Sequence, residues 1–314
     1  MSSPIQSKVS RAPSSQRLEP LRFVNAGVLN VAYYEDGPSG GPVVFLMHGF
    51  PYDIHSYVDV APILTEQGCR VILPYLRGYG PTRFLEANTS RSGEQAALGA
   101  DLKALMDALG ISKAVFAGYD WGGRAACVCA ALWPEGCNGL VSLNGYNIQD
   151  IANSGKPAKA EDEAALWYQW YFQIERGRAG LIANRRSITK ILWQQWSPHW
   201  RFDEPTLDRT STAHENLDYV DVVIHSYRHR YGLVDGDPQY KDIQDKLAKQ
   251  PSITVPTITL DGDADGVIPV TDGSAHAARF TMRLAHRIIR NAGHNLPQEA
   301  PEAFAQATVD VMRR

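Results

Sequence analysis

The chain is poor in cysteine, has no long apolar run and carries little excess charge of either sign. Only four of its 314 residues are cysteine, too few for a disulfide scaffold at this length. Cys127 and Cys129 stand two apart in a helical stretch and so do not share a face. No C-x-x-C pair or neighbouring histidine completes a metal site around them or around Cys69 and Cys137. Reduced core thiols point to the cytoplasm, and neither a metal nor a cofactor is expected. No run approaches the roughly 20 apolar residues of a membrane span. A net charge of −3 gives no reason to expect nucleic acid or an anionic membrane as partner. The first 18 residues are rich in Ser and Pro but lack the apolar stretch of a secretory signal, and residues 1–20 read as a disordered tail.

The most telling absence is a serine. Residues 118–123 read Gly-Tyr-Asp-Trp-Gly-Gly, after the apolar run 114–117 and before the helical stretch 124–132. Strand, sharp turn and helix make a nucleophile elbow, in which small residues let the backbone bend and present one reactive side chain. Ester hydrolases place Ser there; this chain has Asp120. A carboxylate of intrinsic pKa about 3.9 is ionised at neutral pH without a base, and the N-terminus of a helix favours the anion. It attacks esters poorly, because the mixed anhydride formed is less stable than the ester. It does attack a saturated carbon carrying a leaving group, as in an epoxide or an alkyl halide. The plain alternative, an Asp that only caps the helix, leaves the glycines on both sides of the turn unexplained.

Short apolar runs at 28–34, 43–47, 70–73, 114–117 and 140–143 read as strands. The pattern breaks at about residue 146 and resumes with 257–260 and 287–290. Residues 54–67 and 95–109 are amphipathic at helical period. Strands alternating with helices imply an α/β fold with a mostly parallel sheet covered on both faces. The core is expected from 21–146 and 250–314. Residues 147–249, rich in aromatics such as Trp167, Tyr168, Trp170, Tyr171, Phe172, Trp193, Trp196 and Trp200, are expected to form a helical cap, or lid, over the carboxyl ends of the strands.

An ester on Asp120 needs a base to activate water. His294, in the loop Asn291-Ala292-Gly293-His294-Asn295-Leu296-Pro297 after the last strand, is the candidate; the other histidines lack that placement. An acid must orient it. Asp261, Asp263 and Asp265 compete in the loop after strand 257–260, and Asp265, deepest in the loop, has the reach. A calcium loop is the rival reading, but the continuing ligands and terminal Glu are missing. The order nucleophile, acid, base then holds along the chain. Two N–H groups should form an oxyanion hole, one from Trp121 and one from Phe50 in His48-Gly49-Phe50-Pro51, with Pro51 fixing the turn. His48 is expected to hold the loop and to border the substrate pocket with Pro51.

With these residues the chain resembles the α/β-hydrolase superfamily from about residue 21 to its end, most of all the epoxide hydrolases, with the Asp-nucleophile dehalogenases as relatives. Arg77-Gly78-Tyr79-Gly80 and Glu299-Ala300-Pro301 match further segments common there. The resemblance implies an eight-stranded, mostly parallel sheet with helices on both faces and an inserted cap. It also implies two cap tyrosines that grip the epoxide oxygen. One is Tyr168, in Tyr168-Gln169-Trp170-Tyr171-Phe172-Gln173, and the other is Tyr227, before Arg228. Tyr171, Tyr219 and Tyr231 are substitutes. A phenol of pKa about 10 stays protonated at neutral pH and donates to a developing alkoxide.

A haloalkane dehalogenase is the alternative, since Trp121 matches a halide-binding Trp, although Phe50 stands where those enzymes often have Asn. Fluoroacetate dehalogenases are similar at Trp170, Tyr227 and Arg124, the last matching a carboxylate-binding Arg. They differ at Trp121 and Gln169, where that group has Arg and His. A third reading is a receptor that keeps the pocket without the chemistry. Trp170, Tyr171 and Arg124 complete the candidate substrate contacts. The expected partner is a small apolar substrate, and a homodimer is left open.

Overall fold

The computed structural model describes residues 17–314, so most of the expected N-terminal tail lies outside the described residues. One mixed sheet forms the centre, with strands β1 (Arg22–Ala26), β2 (Leu29–Asp36), β3 (Val43–Met47), β4 (Arg70–Pro74), β5 (Arg83–Phe84), β6 (Ala114–Gly118), β7 (Cys137–Leu143), β8 (Thr257–Gly262) and β9 (Arg283–Ile289). Its order is β1-β2-β4-β3-β6-β7-β8-β9, with the two-residue β5 pairing off the edge of β2. The expected eight strands are thus the main path, and β5 makes a ninth. β1 and β2 form an antiparallel hairpin, β2 runs antiparallel to β4, and every pair from β4 to β9 is parallel.

β6 is buried along its whole length and β3 along all but its first residue, as expected for apolar strands covered on both faces. The core helices are α1 (Val60–Glu66), α2 (Gln95–Ala108) and α3 (Asp120–Leu132). The chain moves one way along the sheet through α1 and the other way through α2 and α3, and right-handed crossovers put such helices on opposite faces. Gly99 lets α2 and α3 approach, since a Cβ there would meet Val128 Cγ1 at 2.2 Å. The reversal falls between β3 and β6, so the loops after these two strands flank the crevice where ligands collect in open α/β sheets.

Between β7 and β8 lie α4 (Ala160–Ala165), α5 (Trp167–Tyr171), α6 (Glu175–Trp196), α7 (Glu204–Ala213), α8 (Tyr219–His229) and α9 (Lys241–Leu247). The fold closes with α10 (Leu296–Glu299) and α11 (Pro301–Met312). No helix among the described residues is long and apolar enough to cross a membrane, and all four cysteines are free and buried.

Candidate active site

Asp120 opens α3 with φ 49°, a left-handed conformation costly for a residue with a Cβ. The turn closes only because its neighbours are small. A Cβ on Gly122 would lie 2.0 Å from the Met47 carbonyl oxygen, and one on Gly49 would lie 2.5 Å from Asp120 Cβ. The β3 loop therefore presses against the carboxylate. Phe50 N–H donates to Asp120 Oδ1 at 2.7 Å, while Oδ2 stands 3.9 Å from His294 Nε2. That separation is an ion contact, too long for a direct hydrogen bond.

His294 Nδ1 lies 2.9 Å from Asp265 Oδ2, which also accepts from Asn144 at 3.3 Å. Asp265 Oδ1 accepts the N–H groups of Val267 and Ile268, so this carboxylate is fixed and fully used. The competing acids are engaged elsewhere: Asp261 binds Thr271, and Asp263 accepts from Asn291 N–H. With Nδ1–H donated to Asp265, the imidazole turns its Nε2 toward Asp120. Burial opposes charge on His294, but the flanking carboxylates prevail and raise its pKa to about 10. Burial also opposes the charge on Asp120, yet His294, Arg124 and the Phe50 N–H hold its carboxyl at about 2.

The end of α6 holds both loops. The Trp196 carbonyl accepts from Gly266 N–H, next to Asp265, at 3.0 Å and from His294 N–H at 3.1 Å. Ser197 Oγ takes Asn295 N–H at 3.1 Å, and Glu299 Oε2 takes Gly293 N–H at 2.9 Å. Three consecutive amides around the imidazole are thereby tied down.

Above the carboxylate lies a box of rings. Phe50 stacks at 6.0 Å on both Trp121 and Tyr168, and Tyr227 sits 5.2 Å from Phe50 and 5.3 Å from Tyr168. Tyr168 Oη accepts from Gln169 Nε2 at 2.8 Å, which leaves its own proton to donate. Tyr227 Oη is buried without a partner among the described residues, as are the indole N–H groups of Trp121 and Trp196. Trp196 lies 5.0 Å from Tyr168 and 5.2 Å from His294. Burial, with the Asp120 charge nearby, raises both phenols above their ordinary pKa and keeps them protonated.

Several expected contacts fall elsewhere. Trp170 is 41% exposed and packs on Tyr231 at 4.7 Å, outside the ring box. Tyr171 stands against α6, its hydroxyl 1.9 Å from where a Cβ on Gly180 would be. His48 is a loop anchor: its Nε2 accepts Leu76 N–H at 3.2 Å, its Nδ1 meets Gly49 O at 3.1 Å, and burial lowers it to about 4, so it is neutral. Pro51, after a cis peptide, gives its carbonyl to Trp193 Nε1. Tyr219 packs on His214 and Tyr79, and Tyr231 donates to Gln169, so neither replaces Tyr168 or Tyr227. Arg124 lies within charge range of Asp120, Tyr168 and Tyr227. The sequence reading passed over Arg230, Ser197 and the Trp196 indole, which carry no local motif; only the aromatic richness hinted at the last.

A sequence profile described as the alpha/beta hydrolase fold matches residues 42–301. Epoxide hydrolase A of Mycobacterium tuberculosis (strain ATCC 25618 / H37Rv) is 38% identical over 322 residues, covering 93% of this chain and 96% of the relative. Epoxide hydrolase B of the same strain is 29% identical over 170 residues, so the match spans 50% of this chain and only 47% of that relative. A crystal structure from Klebsiella pneumoniae subsp. pneumoniae MGH 78578, provisionally assigned as an epoxide hydrolase, is 45% identical with a TM-score of 0.93, covering 96% of this chain and 99% of that one.

Proposed function

The chain belongs to the α/β-hydrolase fold family, most like its epoxide hydrolases, and from that premise we propose that it opens an epoxide to a vicinal diol through an ester on Asp120. One observation carries the reading: an ionised carboxylate, gripped at Oδ1 by Phe50 N–H, faces two protonated phenols and a histidine already oriented by an acid. Asp120 Oδ2 attacks an epoxide carbon; the carbon–oxygen bond breaks while Tyr168 and Tyr227 donate to the departing oxygen, which ends as a hydroxyl with the proton that the His294 imidazolium carries in the free site. His294 then takes a proton from water, and the hydroxide adds to the ester carbonyl carbon. Charge gathers on Oδ1, met by Phe50 N–H and by Trp121 N–H. Collapse releases the diol and restores the carboxylate, so the sum is epoxide plus water.

Ester formation also changes the base. Alkylated Asp120 has no charge, so one of the two carboxylates that raise the His294 pKa disappears and the neutral imidazole becomes available when water must be activated. In this reading residues 147–249 are a cap whose α5 and α8 bring the tyrosines over the nucleophile. Free, buried thiols suit a reducing cytoplasm.

A second reading is favoured by the unpartnered indole N–H groups of Trp121 and Trp196, which could receive a halide leaving Asp120-bound carbon. A parallel assay separates the two: diol from styrene-type epoxides against halide from haloalkanes and fluoroacetate. For the proposed mechanism, one turnover in heavy-oxygen water should give an unlabelled diol, its new oxygen coming from Asp120. Label in that first diol rejects the ester.

A further inference from the structure

Two buried cations stand beside the nucleophile and make no bond to a reacting atom in that scheme, although Arg124 helps to keep Asp120 ionised. Arg124 stands one helical turn beyond Asp120. It makes no hydrogen bond or ion pair with any of the described residues, and its Nη1 is sealed from solvent without a partner. Arg230, just past α8, is 7% exposed, with its guanidinium carbon 4.1 Å from the centroid of the Tyr227 ring. Its N–H groups reach only neutral oxygens, Ser226 O and Oγ at 3.4 Å and Gln169 Oε1 at 3.5 Å, the far edge of hydrogen-bonding range. Elsewhere the fold treats a buried guanidinium differently: Arg77 holds Asp101 through two bonds of 2.7 Å. Buried guanidinium groups are ordinarily paired, because an unmatched buried charge is strongly unfavourable. The two arginines also oppose each other, and burial together with the Arg230 charge lowers Arg124 to about 10.

The imbalance grows during the reaction. The free site sets two carboxylates, Asp120 and Asp265, against Arg124, Arg230 and the His294 imidazolium. Alkylation removes the Asp120 charge, and the cations at Arg124 and Arg230 then have no anion close by. We propose that Arg124 and Arg230 form an anion subsite and that the substrate is an epoxide bearing a carboxylate close to the ring. Both guanidinium groups flank the tyrosines that grip the epoxide oxygen, so the carboxylate lies a few bonds from the reacting carbon. The remainder of the substrate runs along Phe50, Phe172 and Trp196, which makes the ligand amphiphilic where composition alone suggested an apolar one. The planar two-pronged donor geometry of Arg matches a carboxylate and gains nothing from a neutral amide of the same shape.

The inference rests on the epoxide reading, and the test keeps the two apart. The substrates are 3-phenylglycidate and its neutral primary amide; the unreactive probe is 3-phenylpropionate, followed by calorimetry. Wild type should open the glycidate with kcat/KM at least about tenfold above the amide, the ratio expected from one charge-assisted contact. Arg230→Gln should abolish that preference and Arg230→Lys should retain part of it. An amide opened as fast as the glycidate by wild type overturns the subsite. When neither epoxide is opened, binding of 3-phenylpropionate that is lost in Arg230→Gln upholds the subsite and rejects the epoxide reading. Absence of that binding, with no turnover, overturns both.

Discussion

Replacing Asp120 by Asn removes one charge while keeping the shape of the side chain, and so imitates the electrostatics of the ester. His294 Nε2 is 3.9 Å from Asp120 Oδ2. At an effective dielectric of about 20, unit charges at that distance attract by about 4 kcal/mol, or about three pKa units. In wild type the imidazole is raised to about 10 against the opposing effect of burial. In Asp120→Asn the Asp265 carboxylate, with Glu299 nearby, still opposes burial, but the Asp120 attraction is gone, so the His294 pKa should fall by about three units. The assay is an NMR pH titration of histidine-labelled protein, with the His294 signals assigned by their loss in His294→Gln. A fall of less than about one unit would refute the idea that ester formation prepares the base. Stability should follow the same groups. The folded pKa lies above the ordinary 6.5, so the imidazolium stabilises wild type fully below pH 6.5 and ceases to do so as pH passes about 10. That decline should be much smaller in Asp120→Asn.

Tyr227→Phe removes a hydroxyl with no partner among the described residues, so urea unfolding should change by less than about 1 kcal/mol while the alkylation rate falls roughly 100-fold or more. Gly49→Ala forces a methyl group to within 2.6 Å of Asp120 Oδ1; activity should vanish with a stability loss of about 1–3 kcal/mol, measured by denaturation and turnover together. Ser197→Ala leaves Asn295 N–H without its acceptor at a cost of about 1–3 kcal/mol. Rapid-quench analysis should show ester forming at the wild-type rate and hydrolysing slowly, since the damage is confined to the loop that carries the base.

The parts of this molecule that could be read without coordinates are those written in local backbone chemistry. The turn at Asp120 needs glycine at 118 and 122 because a Cβ at either would collide with nearby backbone, and such demands show as residue types at fixed spacing. The buried strands β3 and β6 show as unbroken apolar runs. β1 was missed because its hairpin with β2 leaves most of one face exposed, so Arg22–Ala26 has no such run. β9 was caught only at its end, for it begins with the mixed segment Arg283-Leu284-Ala285-His286. Side-chain direction in the helices between β7 and β8 was harder. Trp170 and Tyr171 share one turn with Tyr168, and only packing against Phe50 and Trp196 decides which ring turns inward. Arg230 acquires its meaning solely from the distant Arg124, and the hold of α6 on the acid and base loops uses the Trp196 backbone carbonyl, which no residue type encodes.

The covalent ester is the central claim, and trapping it tests the account most directly. His294→Gln exposed to a styrene-type epoxide should gain the mass of one substrate molecule, located by peptide mapping on the segment containing Asp120, and Asp120→Asn should gain none. An unmodified His294→Gln protein that still forms diol, or an adduct placed on another residue, would contradict it.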